Sequence, residues 1–338
     1  MKDVRIVGGG LAGLSLGIAL RERGVPVRVL EAGRYPQHRV CGEFICGVSD
    51  DVLDSLGVID LLSDAVEHSR MAWWVGDELV MTRPMPQSAR GISRYVLDQR
   101  LADRFCEFGG DLMVGRRGTE ERSEGVVWAA GKRKAGGRTW IGLKVHIDLA
   151  SVDGLEMHVG ERGYLGLCRV AGDRVNACGL FRMDQGLKGR GGDLLLRYLE
   201  ANGLGSLARR LAEGEMDATS FSATAGFSLG SQPSGGQVCI GDRLNLIPPF
   251  TGNGMSMALE SSALLMPLLV RYSKGELTWD AVARKYAEAG RGQFSRRMTT
   301  AKVLHPMLFH PLGRGVLSRL ARGGVLPLDY LFNRLRTP

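Results

Sequence analysis

The stretch VRIVGGGLAG, residues 4–13, decides the fold class of this chain. Its mostly apolar start predicts a short buried strand, and residues 14–23 predict a helix that follows the glycines at once. In this arrangement Gly8 allows a tight turn, Gly10 lets the backbone approach a pyrophosphate, and Gly13 lets the helix pack closely on the strand. The helix N-terminus offers free N–H groups to the phosphates. The stretch therefore predicts a dinucleotide site.

A second strand and an acidic residue complete this pattern. Residues 25–30 predict the strand, and Glu31 follows it, 18 residues after Gly13. A carboxylate in that place accepts hydrogen bonds from the adenosine ribose. The order of strand, glycines, helix, strand and acid is more specific than the glycines alone, because 48 of the 338 residues are glycine. The pattern does not decide which dinucleotide is bound.

The length and composition of the chain are those of a globular protein larger than one average domain. Its 338 residues predict two intertwined domains or one large α/β domain. The first strand starts almost at residue 1, and the longest apolar run, residues 263–270, is too short to span a bilayer. We therefore expect a cytoplasmic location. The six cysteines show neither a CxxC pair nor metal-ligand spacing, which predicts reduced thiols and no metal site.

The net charge of +8 is concentrated at the C-terminal end. From residue 282 onwards there are eleven Lys and Arg residues against two acidic residues. A basic segment of this kind suits a membrane surface, an acidic carrier protein or a separate reductase, and an ordinary solvated helical face has the same composition. No nucleic-acid-binding module is recognisable, so we expect no nucleic-acid partner.

Periodicity and turn residues predict the remaining elements. The predicted helices are residues 49–62, a helix that starts after Ser93, residues 193–213, 255–272 and 279–294 or beyond, and shorter pieces from 305 to 335. The predicted strands are residues 71–75, 79–82, 125–131, 140–146, 155–159, 164–167, 174–180 and 237–242. Residues 112–124, which are short and highly charged, are predicted to be a tight hairpin or a loop.

Four stretches together resemble the FAD-dependent oxidoreductases of the para-hydroxybenzoate-hydroxylase-like fold. They are residues 8–31, RVCGE at 39–43, WIGLK at 140–144, and residues 241–254, where Gly-Asp is followed by PPFTGNG. The chain is most similar to the geranylgeranyl-reductase-like branch and to small bacterial flavoprotein monooxygenases of biosynthetic clusters. The resemblance implies an α/β fold, α+β overall, with a Rossmann-like FAD-binding domain, an inserted, mainly antiparallel β substrate domain and C-terminal helices.

This resemblance also implies domain limits and cofactor contacts. The FAD-binding domain is expected at 1–64, 88–137 and 235–300, the substrate domain at 65–87 and 138–234, and the C-terminal helical segment at 301–338. Asp242 would accept hydrogen bonds from the ribityl hydroxyls, and the helix after Asn253 would stabilise the reduced flavin anion. The full set of implied FAD contacts is Gly8, Gly10, Leu11, Ala12, Gly13, Glu31, Ala32, Arg39, Arg94, Ala130, Gly131, Gly241, Asp242, Pro249, Gly252, Asn253, Gly254 and Met255. A surface ion pair is the alternative for each of the two arginines.

The chain departs from the hydroxylases of this class at one informative place. Many of them carry an Asp-Gly pair after the middle strand, where this chain has Ala130-Gly131. The missing carboxylate argues against NADPH recognition of the hydroxylase type. Only one GxGxxG pattern is present, so no dedicated nicotinamide domain is visible. We expect electrons from NAD(P)H that binds transiently or from a separate reductase.

Several functions remain compatible with the sequence. The main hypothesis is a monooxygenase that uses reduced flavin and O₂ on an apolar or aromatic molecule of secondary metabolism. The alternative is a flavin-dependent reductase of C=C bonds in a prenyl-like lipid, since fold alone does not decide function. The sequence lacks the tryptophan-rich signature of flavin halogenases, which argues against a halogenase. A non-catalytic FAD-binding or peripheral membrane protein, acting through the basic C-terminal helices, is the remaining possibility.

The residues that would carry the chemistry are the least specified by the sequence. Cys41 resembles a cysteine near the flavin in geranylgeranyl reductases, and Glu43 lies beside it, so both are candidates for proton transfer. A small buried thiol without a redox role explains Cys41 equally well. The candidates for substrate lining are Trp73, Trp74, Met81, His146, Tyr164 and Phe250, although plain core packing also explains the paired tryptophans.

Overall fold

The computed structural model describes residues 1–119, 123–132, 139–149, 152–226, 229–231 and 236–336. Its strands are β1 Val4–Val7, β2 Val27–Glu31, β3 Phe44–Ile45, β4 Val66–Val75, β5 Glu78–Gly91, β6 Asp111–Val114, β7 Val126–Trp128, β8 Trp140–Asp148, β9 Leu155–Val159, β10 Gly163–Ala171, β11 Arg174–Arg182, β12 Glu215–Ala225, β13 Gly230–Ser231, β14 Val238–Cys239 and β15 Asn245–Leu246. Its α-helices are α1 Leu11–Glu22, α2 Asp50–Ser55, α3 Arg94–Glu107, α4 Gly191–Glu200, α5 Gly205–Ala212, α6 Gly254–Ser273, α7 Trp279–Phe309, α8 Pro311–Arg322 and α9 Leu328–Arg336.

A parallel sheet in the order β14-β7-β1-β2-β6 forms the first layer of the molecule. Apolar side chains of β1 and β2 share one core with α1, α3 and α6. The connection from β1 through α1 to β2 is the predicted strand–helix–strand unit. The predicted α/β fold class is therefore confirmed.

The strand β6 corrects the prediction for residues 112–124. These residues were expected to form a hairpin or loop, but Leu112–Val114 lie in β6, which pairs in parallel with β2. The strand is only four residues long and lies at the edge of the sheet, where its ends remain exposed. Such a short edge strand has too few buried positions to give a recognisable alternation.

A second sheet, in the order β12-β8-β11-β10-β9-β4-β5-β3, carries the β-rich part of the chain. Its neighbouring strands are antiparallel except β4 and β9, which run parallel. In β8 the side chains of Ile141, Leu143, Val145 and Ile147 pack into one core with α4 and α5. Because side chains alternate across a strand, Lys144 and the other even-numbered residues of β8 lie on the opposite face.

Three predicted helices have different limits in the structure. The helix predicted for 49–62 is the short α2, followed by a separate 3₁₀ turn at Asp60–Leu62. The single helix predicted for 193–213 is two helices, α4 and α5, separated by a turn in which Gly203 has a φ of +71°. Helix α7 does not end before His305 but continues through Pro306 to Phe309. Proline lacks an N–H and usually interrupts a helix, but here it lies in the last turn, where a helix end tolerates it better.

The strand β3 extends the large sheet into the N-terminal part of the chain. It pairs with β5, although residues 1–64 were assigned to the FAD-binding domain and the β-rich domain was expected to begin at residue 65. The domain limits stay a prediction. Helix α9 returns at the end of the described chain to pack against α7. None of the helices in the described ranges has both the length and the apolar character required to cross a bilayer.

Candidate functional site

The turn between β1 and α1 is shaped by its glycines. Gly8 has a φ of +112°, and a Cβ atom there would lie 2.3 Å from the carbonyl oxygen of Ala129. A Cβ atom on Gly13 would lie 1.9 Å from the carbonyl oxygen of Gly8. At Gly10 the nearest atom would be Nη2 of Arg94, 3.9 Å away. Gly8 and Gly13 are therefore required for packing, whereas Gly10 leaves space in front of the helix N-terminus.

Glu31 lies at the end of β2 and holds this turn together. Its carboxylate accepts hydrogen bonds from the backbone N–H groups of Gly9, at 2.7 Å, and Gly33, at 2.8 Å. The hydroxyl of Tyr35 donates to the carbonyl of Gly9. The position of Glu31 beside the glycines agrees with the sequence pattern, and its contact with a ribose stays a prediction.

Arg39 and Arg94 are brought together beside the same turn by Asp98. The guanidinium of Arg94 donates two hydrogen bonds to Asp98, at 2.7 and 2.9 Å, and Nε of Arg39 donates to it at 3.0 Å. Asp98 is completely buried. The sequence reasoning did not identify Asp98, although its position four residues after Arg94 on α3 places both on one helix face.

The second half of the predicted cofactor site lies after β14 and at the start of α6. The pKa of Asp242 is raised because the carboxyl group is buried, an effect that the nearby charges of Lys132 and Arg94 oppose. Asn253 precedes α6 and is fully buried, and its amide oxygen and nitrogen have no hydrogen-bond partner among the described residues. Gly254 has open space beside it. An unsatisfied amide at a helix N-terminus fits the polar edge of a flavin.

The remaining predicted cofactor residues occupy the same side of the molecule. They lie in the first turns of α1 and α6, in the loop that precedes α6, or just after β2, β7 and β14; they are Leu11, Ala12, Ala32, Ala130, Gly131, Gly241, Pro249, Gly252 and Met255. The carboxyl ends of parallel strands and helix N-termini are where open α/β sheets bind dinucleotides. Leu11, Ala12 and Met255 contribute buried side chains to the core, so their contact with FAD would be through the backbone.

A C-terminal arginine joins two loops of this site. Arg336 on α9 donates to the carbonyl of Cys46 at 2.6 Å and to that of Thr251 at 2.9 Å. A Cβ atom on Gly252, whose φ is +66°, would lie 2.5 Å from the ring of Phe44. The loop after Arg39 and the loop before α6 are thus in contact. Arg336 was not identified from the sequence, since it lies more than 80 residues away from both loops.

Glu43 is the centre of a buried charged cluster. Its carboxylate lies 2.5 Å from Nε2 of His146 and 3.4 Å from Nζ of Lys144, and it accepts the backbone N–H of Arg94 at 3.0 Å. Burial raises the pKa of Glu43, but the bond with His146 and the charge of Lys144 outweigh burial, so the pKa is lowered overall. An ionised carboxylate does not donate a proton, which argues against Glu43 as the acid.

Cys41 lies next to this cluster and is partly buried. Burial raises the pKa of Cys41, against the opposing influence of Arg94 and the backbone N–H of Glu43. The thiol therefore stays protonated at neutral pH. The carbonyl of Cys41 accepts a hydrogen bond at 2.9 Å from Asn176 on β11. A catalytic role for Cys41 stays a prediction.

An aromatic cluster covers the same face of the large sheet. The rings of Trp140, Tyr164, Phe250, His305 and Phe309 lie 5.0 to 6.4 Å apart, centre to centre, in successive pairs. Trp73 belongs to the same apolar group, and Met81 packs against it. The side-chain nitrogens Nε1 of Trp73 and Nε2 of His305 are buried without a hydrogen-bond partner in the described part of the chain. His305 and Phe309 on α7 were not identified from the sequence.

Two of the predicted lining residues lie elsewhere. Trp74 stacks on His158 with ring centres 5.4 Å apart, and His158 bonds with Glu156, which also pairs with Arg210 of α5. Trp74 thus lies on the side of the sheet that carries α5, because neighbouring side chains of a strand point to opposite faces. Its assignment to the substrate site stays a prediction. His146 lies on the expected face but belongs to the charged cluster.

Comparisons with known proteins agree with this geometry. Residues 1–127 match the family described as FAD binding domain. The whole chain superposes on a p-nitrophenol 4-monooxygenase from Pseudomonas putida DLL-E4 with a TM-score of 0.78 at 12% identity, covering 100% of this chain and 98% of that one. PqsL of Pseudomonas aeruginosa, in complex with 2-aminobenzoylacetate, gives a TM-score of 0.73 at 16% identity, covering 96% and 98%.

Similarity in sequence to curated proteins is local. A segment of 119 residues is 27% identical to the menaquinone reductase of Mycolicibacterium smegmatis strain ATCC 700084 / mc(2)155, covering 34% of this chain and 29% of that protein. The chain spans less than a third of the length of the curated relatives it matches.

The protein therefore contains an FAD-binding domain, and FAD is its cofactor. The fold of the whole chain agrees with the para-hydroxybenzoate-hydroxylase-like fold that the resemblance implied. The residues present fit this cofactor. The open space at Gly10 suits the pyrophosphate, and the unsatisfied amide of Asn253 suits the flavin.

Proposed function

We propose that this protein is an FAD-dependent monooxygenase that acts on an aromatic or otherwise apolar small molecule of secondary metabolism. The aromatic cluster on the sheet face carries this proposal. It reaches from Trp140 to Phe250, which belongs to the loop just before the N-terminus of α6. A site of this kind offers stacking surfaces and excludes water, which suits an aromatic substrate and a reactive form of oxygen.

The unpaired polar groups inside this cluster give it a specific chemical preference. Nε1 of Trp73 can only donate a hydrogen bond. Burial, together with the charge of Arg182, lowers the pKa of His305 to about 4, so its ring is neutral at pH 7. A neutral ring can accept or donate one further bond through Nε2. An aromatic substrate with a hydroxyl, amino or carbonyl substituent would satisfy both nitrogens.

Bound FAD supplies the redox chemistry, and the protein residues orient it and set its electrostatics. The N-terminus of α6 and the amide of Asn253 would bind the polar edge of the flavin, where negative charge develops on reduction. Electrons would come from transiently bound NAD(P)H or from a separate reductase. The residue pair Ala130-Gly131 offers no carboxylate to bind a nicotinamide nucleotide. This favours an electron donor that binds only weakly, or a separate reductase.

An oxygen-isotope experiment tests this proposal. The purified holoenzyme is reduced chemically under nitrogen, mixed with a panel of substituted phenols, anilines and aryl ketones, and exposed to ¹⁸O₂. A product that has gained one ¹⁸O atom supports the monooxygenase. His305→Phe is expected to lower turnover of the accepted substrate at least tenfold, whereas the exposed His310→Phe leaves it unchanged. Absence of any oxygenated product from the panel contradicts the proposal.

A flavin-dependent C=C reductase is the second candidate. The local similarity to a menaquinone reductase favours it, and so does the protonated thiol of Cys41 beside the charged cluster. The same reduced enzyme, mixed with prenyl lipids under nitrogen, distinguishes the two. A hydrogenated product formed without O₂ would establish the reductase and exclude an oxygenase as the main activity.

We further propose that α8 docks on an anionic membrane surface. Leu312, Val316 and Leu320 are 76%, 52% and 36% exposed and form one stripe, four residues apart. Arg319 and Arg322 are also exposed on this helix. An apolar stripe with basic neighbours fits a bilayer that contains anionic lipids. The buried side of α8 packs against the aromatic cluster, so an apolar substrate would reach the site from the membrane.

Vesicle sedimentation tests this docking. The wild type is expected to sediment with vesicles that contain phosphatidylglycerol and not with pure phosphatidylcholine, and Val316→Asp should abolish sedimentation. Val303 is similarly exposed but lies on α7, so Val303→Asp serves as the matched control. Equal sedimentation of the two variants, or binding to an acidic carrier protein in place of vesicles, contradicts the membrane proposal.

A further inference from the structure

Lys144 is a fully buried cation that the sequence reasoning did not single out. Its side chain has no exposed surface, and its Nζ lies 3.4 Å from Oε1 of Glu43 and 3.1 Å from Nδ1 of His38. The thiols of Cys41 and Cys178 are close enough for their charges to affect its pKa. Lys144 therefore connects the carboxylate of Glu43 with the ring of His38.

The same two thiols lie near the predicted flavin site as well. Cys178 is the cross-strand partner of Lys144 in the pairing of β11 with β8, and the sulfur of Cys41 accepts the backbone N–H of Glu43 at 3.4 Å. Lys132 follows β7, and the charges of Asp242, Cys178 and Cys41 all affect its pKa. The two thiols are therefore near both Lys144 and the Asp242 side of the predicted cofactor site.

His38 provides the connection from Lys144 to solvent. Its ring is half-buried, stacks on Tyr95 at 4.4 Å, and meets the ring of His146 edge-on at 5.2 Å. His38, His146 and the partly exposed Asp217 have polar atoms within 4.8 Å of one another. The ammonium of Lys144 beside His38 opposes a metal cation at this place. A route for protons to the surface agrees better with these groups.

We propose that Lys144 and His38 form a proton path from solvent to the flavin site, with Lys144 as the donor. The proposal rests on the proposed function, because it concerns the reaction of the reduced flavin with O₂. Glu43 remains ionised throughout and is the fixed counter-charge that holds Lys144 in place. The pair Glu43 and His146 positions the donor and does not itself transfer the proton.

The proton balance of this reaction requires one external proton. Conversion of the reduced flavin anion and O₂ to oxidised flavin and H₂O₂ transfers two electrons to oxygen and consumes one proton (FADH⁻ + O₂ + H⁺ → FAD + H₂O₂). Lys144 supplies this proton when one of its N–H bonds breaks, leaving a neutral amine. While Lys144 is an ammonium it donates to Nδ1 of His38, so the neutral ring carries its proton on Nε2. Once Lys144 is neutral, exchange with water moves the ring proton to Nδ1. The amine then takes this proton while Nε2 takes one from water, which restores the first tautomer.

The environment of both residues suits this cycle. Burial lowers the pKa of Lys144, an effect that Glu43 opposes, so loss of the proton is easier than from an exposed lysine. Burial and the charge of Lys144 lower the pKa of His38 to about 4, so the ring is neutral at pH 7. A neutral imidazole has one N–H and one lone pair, so it can donate a proton from one nitrogen and accept a proton at the other.

Reoxidation of the reduced holoenzyme by O₂, without any substrate, tests the path. In a stopped-flow experiment Lys144→Ala and Lys144→Arg are expected to reoxidise at least tenfold more slowly than the wild type at pH 8. Added ethylamine should restore much of the rate of Lys144→Ala. His38→Gln should show a smaller loss and an increased solvent isotope effect in D₂O. Lys302→Ala and His310→Gln, both exposed, are the matched controls.

A second measurement needs no flavin turnover. In protein labelled with ¹⁵N-histidine, the Nδ1 signal of His38 is expected to shift when Lys144 is replaced by alanine, because a direct hydrogen bond is lost. Wild-type rates and an unchanged His38 signal in Lys144→Ala would overturn the proposal, as would a slow variant that ethylamine does not rescue. Because no substrate is added, failure to find an oxygenated product contradicts the proposed function without affecting this result.

Discussion

Gly13→Ala is expected to destabilise the protein, and Gly10→Ala is expected to weaken FAD binding in a protein that still folds. A Cβ atom on Gly13 would lie 1.9 Å from a backbone oxygen of Gly8, so the helix and the strand must move apart. Such overpacking costs about 1–3 kcal/mol, and more where backbone is involved. Alanine gains roughly 1 kcal/mol of helix propensity over glycine, which offsets only part of this cost.

At Gly10 the same substitution meets no atom closer than 3.9 Å. Its effect on the free energy of unfolding of the apoprotein should stay within about 1 kcal/mol, the range for a changed N-cap residue. The added methyl group would occupy the space through which the backbone approaches a pyrophosphate. We expect the dissociation constant of FAD to rise at least tenfold, roughly 1.4 kcal/mol.

Urea unfolding of the apoproteins and titration with FAD measure the two effects separately. Gly292→Ala is the matched control, because Gly292 lies in α7 with open space around it. That substitution should stabilise the protein by about 0.5–1 kcal/mol and leave FAD binding unchanged. Unchanged FAD affinity in Gly10→Ala would show that the turn does not bind the cofactor.

The positions of the predicted cofactor residues could be read from the sequence, because the local backbone determines which residue type each position needs. Gly8, Gly13 and Glu31 belong to one strand–helix–strand unit, in which each residue type follows from the backbone around it. The turn after β14 and the N-terminus of α6 are similarly encoded within a short stretch. A local requirement of this kind leaves a recognisable spacing in the sequence.

The charged and aromatic clusters could not be predicted in this way. Lys144 and His38 are separated by 106 residues, and Glu43 and His146 by 103. Only the pairing of β8 with its neighbours and the return of the loop after Arg39 bring them together. The sequence identified Glu43 and His146 as separate candidates, but nothing local indicates their contact or the ionised state of the carboxylate.

Glu43→Gln is expected to cause the largest loss of stability among the variants of the charged cluster. The substitution leaves Lys144 without its counter-charge in a site with no exposed surface. Removal of one partner from a buried ion pair typically costs about 3–5 kcal/mol. The exposed pair of Glu78 and Arg322, 2.9 Å apart, provides the control, and Glu78→Gln should cost less than about 1 kcal/mol.

A double substitution separates the charge effect from the loss of packing. Glu43→Gln combined with Lys144→Met removes both charges, so it should be more stable than Glu43→Gln alone. If the double variant is as unstable as the sum of the two single variants, the two residues do not interact and the ion-pair explanation fails. Urea unfolding at pH 7 gives all the free energies that this cycle needs.

The pH dependence gives an independent check on the same carboxylate. The folded-state pKa of Glu43 is lowered from the ordinary value of 4.5, so its ionised form contributes stability above that pH. This contribution is lost as the pH falls below 4.5 and through the folded-state pKa. The stability difference between the wild type and Glu43→Gln should therefore be constant from pH 6 to 8 and shrink in acid. A difference that grows in acid would mean that Glu43 is protonated in the folded protein, which would restore it as a candidate proton donor and remove the fixed counter-charge from Lys144.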